Sequence, residues 1–332
     1  MMNSKKIAVI GSGSWATAIV KILCNNNDLV NWYFRNQTDI DYIKQYKSNP
    51  KYLSSVNFNL SKFNVSSNIT ELINESDIII LAVPSAFINN TLKDLPKSLF
   101  KNKLIFSAIK GIVPEYNLIV GEYLNTIFDI PFDNIGVITG PCHAEEVALE
   151  KLSYLTIASK NITNAEILCE AMRCRYIKCS SSDDIYGTEI SAVLKNVIAV
   201  AGGICHGLGY GDNFLAVLVS NAIQEIDRFV AAVHPIERDT KGSAYLGDLL
   251  VTAYSQFSRN RMFGTMLGKG YSVKNAQLEM NMIAEGYYAV KCVCEINKKY
   301  KVNMPITEAV NNIIYNHKSA KVEMELLAEV LS

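Results

Sequence analysis

The chain has 332 residues, 49% of them hydrophobic, which is enough for two ordinary domains with a core each. Thirty-two Lys and Arg balance 32 Asp and Glu, so no net charge draws it toward nucleic acid or an anionic membrane. The first apolar stretch is too short for a signal-peptide core and no later apolar run reads as a membrane span, so a cytoplasmic protein is expected. Cys142, Cys169, Cys174, Cys179 and Cys205 lack the paired spacing of metal ligands. Cys292 and Cys294 would point to different sides of a helix, and the four histidines form no i, i+4 couple. No metal site is expected.

In chain order, IAVI at 7–10 reads as a strand and runs into Gly11-Ser12-Gly13-Ser14-Trp15-Ala16, which opens a helix from about Trp15. Glycines let such a turn bend tightly and approach a pyrophosphate, while backbone amides at Ser14 and Trp15 would meet its oxygens. A glycine turn without ligand is the alternative, disfavoured by the strand, turn and helix around it. The second strand, LVNWYF at 29–34, is followed by Arg35, at the place of the ribose-contacting residue. An acid there grips the hydroxyls of NAD, whereas an arginine accommodates the 2′-phosphate of NADP, so NADP is expected to be preferred over NAD. With Asp39 and Asp41 nearby, Arg35 as a solvated surface charge is the competing reading.

Further apolar runs follow at 77–83, 104–109 and 135–139, and YLTIAS at 154–159 and YIKC at 176–179 extend the series. Near-continuous apolar strands separated by helices imply a parallel sheet covered on both faces. From about Asp183 the rhythm changes to long 3.6-period stretches. The change places a dinucleotide-binding domain at 1–183 and a helical domain at 184–332.

Reduction of a ketone turns its oxygen into an alkoxide, which calls for a cationic acid beside it. Lys195 lies on the long helix that opens the second domain, with small residues Thr188, Ser191, Ala199 and Gly202 around it and a core face of Ile190, Leu194, Val197, Ile198 and Ala201 beside it. A lysine snorkelling from a core margin is the competing explanation. Lys110 follows an apolar strand at its carboxyl end, the edge where open α/β sheets bind ligands. Asp248 and Thr252, four apart, share one helix face, though an acid merely starting a helix reads the same way. Ser258-Arg259-Asn260 offers a hydroxyl, a forked guanidinium and an amide to a phosphate monoester.

GSGSWATAI, LAVPS, AIKGI, GPCHAEEVA, LKNVIAVAGGICHGLGYGDN, LGDLLVT, SRNRMFG, AEGY and MPITEAV occur in that order. On these segments the chain resembles the bacterial NAD(P)-dependent glycerol-3-phosphate dehydrogenases over essentially its whole length. The resemblance implies an α/β fold, with an N-terminal Rossmann-type domain and a C-terminal all-helical substrate domain. It implies reversible reduction of dihydroxyacetone phosphate to sn-glycerol 3-phosphate, supplying the backbone for glycerophospholipid synthesis, and a possible homodimer. It makes Lys195 the proton donor and acceptor, Lys110 a contact to cofactor and substrate, and Asp248 and Thr252 the residues that position lysine and substrate. Cofactor contacts carry over to Gly11, Gly13, Ser14, Trp15, Arg35, Lys110, Ala144, Arg259, Ile283 and Glu285. Substrate contacts carry over to Lys110, Gly140, Cys142, Lys195, Asp248, Ser258, Arg259 and Asn260. Two departures stand out. Ala16 replaces the third glycine of the turn, and Cys142 and His143 stand where many relatives carry Ser or Thr and Phe; a thiol is a poorer hydrogen-bond partner than a hydroxyl. A dinucleotide sensor would have no use for Lys195, Asp248 and the phosphate tripeptide together. A reductase of another phosphorylated or carboxylated keto substrate is the alternative enzyme.

Overall fold

The computed structural model describes residues 5–280 and 284–332. In chain order come β1 (Ile7–Ile10), α1 (Ser14–Leu23), β2 (Val30–Tyr33), α2 (Gln37–Tyr46), β3 (Phe63–Ser66), α3 (Ile69–Asn74), β4 (Ile78–Leu81) and α4 (Ser85–Leu92). Then follow β5 (Leu104–Ser107), β6 (Ile112–Val113), β7 (Leu118–Ile119), α5 (Val120–Phe128), β8 (Ile135–Thr139), α6 (Ala144–Ala148), β9 (Ser153–Ser159), α7 (Ile162–Met172) and β10 (Ile177–Ser182). The remainder is helical: α8 (Ile185–Gly207), α9 (Asp212–Val233), α10 (Asp248–Tyr254), α11 (Arg259–Gly268), α12 (Val273–Glu279), α13 (Glu285–Tyr300), α14 (Pro305–Ile314) and α15 (Ala320–Val330).

These elements form two compact units. A sheet unit comprises Met1–Ile109 and Val120–Ile185, and a helical unit comprises Lys110–Ile119 and Tyr186–Ser332. The sequence-based division has no counterpart to the excursion at 110–119, because ten residues are too few for a change of period to show which core they join.

The sheet unit holds an eight-stranded sheet in the order β3-β2-β1-β4-β5-β8-β9-β10. Its first six strands follow the 3-2-1-4-5-6 order of a doubly wound dinucleotide fold, whose direction of winding reverses between β1 and β4. All residues of β1 and β4 are buried, as expected of central strands covered on both faces. β3 was absent from the sequence reading. Its side chains alternate between buried and open, as befits an edge strand, so it shows no continuous apolar run. The expectation that 154–159 continues a parallel sheet is corrected, since β9 runs antiparallel to β8, while β10 is parallel to β9. The connection from β8 to β9 contains only the five-residue helix α6, too little to carry the chain back along a full strand.

In the helical unit α8 is central, with nearly every residue from Thr188 to Cys205 buried. A helix apolar on all sides belongs inside a core. α8 also corrects the expectation that no run reaches membrane-span length: by length and composition alone it could cross one, yet most of it is buried inside the protein. Gly203 and Gly207 of α8 face Gly264 and Gly268 of α11 at backbone contact. A Cβ on Gly203 would run into the Arg261 carbonyl oxygen, and one on Gly264 into that of Val200. Unit two is not purely helical, because β6 and β7 form a short antiparallel pair within it.

Candidate active site

Lys195 leaves α8 at its midpoint and is 5% exposed. Its Nζ donates to Asp248 Oδ1 and, at 3.0 Å, to Thr252 Oγ1. Thr252 in turn donates to the backbone carbonyl of Asp248 at 2.7 Å, the i, i+4 bond that α10 permits. Asp248 is the first residue of α10 and follows directly on a π-helical turn at Ser243–Gly247. Its second oxygen, Oδ2, accepts from Lys110 Nζ at 3.2 Å. Two ammoniums thus share one buried carboxylate, leaving the trio with a surplus positive charge.

The electrostatics follow from burial and from these neighbours. Burial pushes the Lys195 ammonium down from its ordinary value to about 7, with repulsion from Lys110 acting the same way and Asp248 opposing both. Burial would raise the Asp248 carboxyl, but the Lys110 and Lys195 charges outweigh it and hold that carboxyl below the usual carboxylate range.

A chain of amides ties the helices around this lysine. Asn196 Nδ2 donates to the Lys110 carbonyl at 2.6 Å, Asn260 Nδ2 donates to Asn196 Oδ1 at 2.9 Å, and Gly286 N donates to Asn260 Oδ1 at 2.9 Å. Gly286 also comes so close that a Cβ would lie 2.6 Å from the Asn196 carbonyl oxygen. Lys110 and three helices are thereby linked through two asparagines.

In the sheet unit, Gly11 adopts φ +133° where the turn leaves β1, and a Cβ there would collide with the Ala82 carbonyl beyond β4. Gly11 therefore sits at the point where the winding reverses, the crevice in which such sheets bind ligands. Trp32 Nε1 donates to its carbonyl at 2.8 Å, and Asn49 Nδ2 donates to the Ser12 carbonyl at 2.9 Å and to Thr17 Oγ1 at 2.8 Å. Gly13 is different. Its φ of −76° is open to any residue, and a Cβ on it would meet nothing within 4 Å. The chain's own packing gives no reason for glycine at the start of α1, whereas a ligand entering that space does.

Two family models match: the NAD-dependent glycerol-3-phosphate dehydrogenase N-terminus over residues 6–165 and the corresponding C-terminus over residues 184–325. The chain belongs to this family. It is 35% identical over 327 residues to a glycerol-3-phosphate dehydrogenase [NAD(P)+] of Bacillus subtilis, covering 97% of this chain and 94% of that one. It is 33% identical over 323 residues to the protein of that name from Staphylococcus carnosus, covering 97% of each. Among solved structures, the glycerol-3-phosphate dehydrogenase of Coxiella burnetii superposes with a TM-score of 0.91 at 27% identity, over 98% of this chain and 99% of that one.

Within this member of the glycerol-3-phosphate dehydrogenase family, the structure gathers Lys110, Lys195, Asp248, Thr252 and Asn260 into one network. Ser258 caps α11, its Oγ accepting from Arg261 N at 3.3 Å, and Arg259 is exposed in the first turn of that helix. Glu285 begins α13, next to Gly286, and Ile283 lies outside the described residues. In the sheet unit, Ser14 and Trp15 open α1, Arg35 is exposed just past β2, and Cys142 and Ala144 are buried at the start of α6. Gly140 has φ +104° and packs on Tyr154 and Thr156, so the fold alone accounts for glycine there. Sequence reasoning missed Asn196 and Asn49. Asn196 directly follows Lys195, and only its placement beside that lysine could have marked it.

Proposed function

We propose that the protein catalyses the reversible reduction of dihydroxyacetone phosphate to sn-glycerol 3-phosphate, with NADPH preferred over NADH. The observation that carries this reading is a buried lysine, Lys195, held by Asp248 and Thr252, with the Lys110 ammonium on the same carboxylate. The nicotinamide dinucleotide, when bound, supplies the hydride. Lys195 gives a proton from Nζ to the oxygen that becomes a hydroxyl, and as a neutral amine takes it back in the oxidation. Its lowered pKa keeps both forms populated near neutrality, as a reversible reaction requires. Asp248 fixes the ammonium and Thr252 orients it, while Lys110 adds positive charge where the oxyanion develops.

The substrate phosphate falls to the start of α11, where Arg259 offers a forked guanidinium and Ser258 a hydroxyl. Asn260 spends its carbonyl on Gly286 and one N–H on Asn196, so its second N–H is the group for a phosphate oxygen. For the cofactor, the open space at Gly13 suits a pyrophosphate, with Gly11 shaping the turn. Arg35 suits the 2′-phosphate, and Asp39, the acid nearby, is engaged by Lys51 at 2.8 Å. The product is the kind of glycerol phosphate that glycerophospholipid synthesis acylates, and we assign the enzyme to that supply. The test is NADPH consumption by the purified protein with dihydroxyacetone phosphate, with sn-glycerol 3-phosphate identified as product. Turnover of a 2-keto acid and none of dihydroxyacetone phosphate would overturn the reading.

A further inference from the structure

The glycine turn that leaves β1 is held by its carbonyls. Trp32 Nε1, from the neighbouring strand β2, donates to the Gly11 carbonyl at 2.8 Å, and Asn49 Nδ2 donates to the Ser12 carbonyl at 2.9 Å. The Gly13 carbonyl is taken into α1, where it accepts from Thr17 N and from Thr17 Oγ1, each at 2.9 Å. Three successive carbonyls are therefore bound to the protein, and Trp32, Asn49 and Thr17 are all buried. Asn49 has no capacity left over. Its other N–H goes to Thr17 Oγ1 at 2.8 Å, and its Oδ1 accepts from Lys51 N at 3.0 Å and from Tyr52 N at 3.2 Å. Thr17 gives its own proton to Gly13, so its oxygen accepts from Asn49, which fixes the end of the amide that faces the turn.

A peptide bond is planar and trans, so a carbonyl and the N–H of the next residue point in opposite directions. Holding the Gly11 carbonyl aims the Ser12 N–H away from Trp32, and holding the Ser12 carbonyl aims the Gly13 N–H away from Asn49. Neither amide donates to a backbone carbonyl among the described residues. A Cβ on Gly13 would meet nothing within 4 Å, so the backbone there is open to a ligand. An anion is bound by N–H groups that face it and is repelled by carbonyl oxygens, and this turn has its oxygens tied elsewhere.

We infer that Trp32 and Asn49 are positioning residues for the cofactor pyrophosphate, holding the Gly11 and Ser12 carbonyls so that the Ser12 and Gly13 amides face its oxygens. The inference rests on the dinucleotide reading of the turn. Trp32→Phe removes one N–H, adds no charge and keeps a ring beside Phe34, Phe58 and Phe63. Asn49→Asp keeps an acceptor for the Lys51 and Tyr52 amides but loses the donor to Ser12. The full chain and both variants are titrated with NADPH by fluorescence. They are titrated calorimetrically with adenosine 2′-monophosphate, which carries adenine, ribose and 2′-phosphate but no pyrophosphate. Each variant is expected to raise the Kd for NADPH roughly tenfold or more and to leave that for the monophosphate within about twofold of the parent's. Unchanged NADPH affinity in both variants overturns the inference. So does an equal loss for both ligands, which a merely loosened sheet unit would give. A parent chain that binds neither NADPH nor NADH overturns the cofactor reading itself, an outcome that the variants cannot imitate.

Discussion

The proton-donor role proposed for Lys195 rests on a charge that burial leaves poorly solvated. Losing a positioned proton donor costs about 10²–10⁴ in rate, so Lys195→Met is expected to lose nearly all turnover. The glycine turn belongs to the other unit, and the variant should bind NADPH with near-normal affinity in a fluorescence titration. Retained turnover would remove Lys195 from the chemistry. The lowered pKa has a direction that can be read in rates. Reduction needs the ammonium, so its rate should fall as pH rises through about 7, whereas oxidation needs the free amine and should fall as pH drops through the same value. Parallel pH–rate profiles in both directions check this. At the other unit, Arg35→Asp should weaken NADPH far more than NADH, because it replaces a partner of the 2′-phosphate with an acid suited to ribose hydroxyls. Equal losses for the two cofactors would refute it. Local rules single out Lys195 and Asp248 one at a time, and only the family resemblance joins them. By those rules alone Asp248 reads as a helix-starting acid before it reads as a lysine partner, and it is both, being the first residue of α10 and the carboxylate between two ammoniums. The asparagine chain through Asn196 and Asn260 was illegible, because amides paired across helices leave no local pattern.

At the scale of elements, the strands most legible in the sequence are those buried on both faces. β1 matches its four-residue apolar run, while the half-open edge strand β3 was lost and the reversed direction of β9 could not be read from periodicity. The contact of α8 with α11 hid in plain sight: glycines four apart on each helix let two backbones touch. Gly264→Ala should push α11 off the Val200 carbonyl and cost about 1–3 kcal/mol, as overpacking does. A thermal melt would register that loss. Because α11 also carries Arg259 and Asn260, the apparent KM for dihydroxyacetone phosphate should rise with it. A variant as stable and as active as the parent would show that the helices have room to spare.

Over the whole molecule, the division into a sheet unit and a helical unit follows the change of period near residue 183, but the stretch 110–119 lies in the first half of the sequence and in the core of the second unit. Ile112 and Ile119 are 2% and 4% exposed there, among residues of α8, α9 and α13. A fragment of residues 1–185 therefore keeps apolar side chains whose partners are missing. Expressed as it stands, it should aggregate, and with 110–119 replaced by a short Gly-Ser loop it should stay monomeric and bind NADPH, which size-exclusion chromatography and a fluorescence titration would report. An intact fragment that is monodisperse would contradict this.

That same excursion sets an order of events during synthesis. Lys110 and its apolar neighbours leave the ribosome long before α13, against which β6 packs. At about 5–20 residues per second the interval is roughly 10–35 s. For that time the sheet unit can close around a loop that has nowhere to bury itself, and the ammonium that will share Asp248 waits for its carboxylate to be made. The nascent chain is thus most exposed to capture by chaperones, or by another copy of itself, in the middle of its translation.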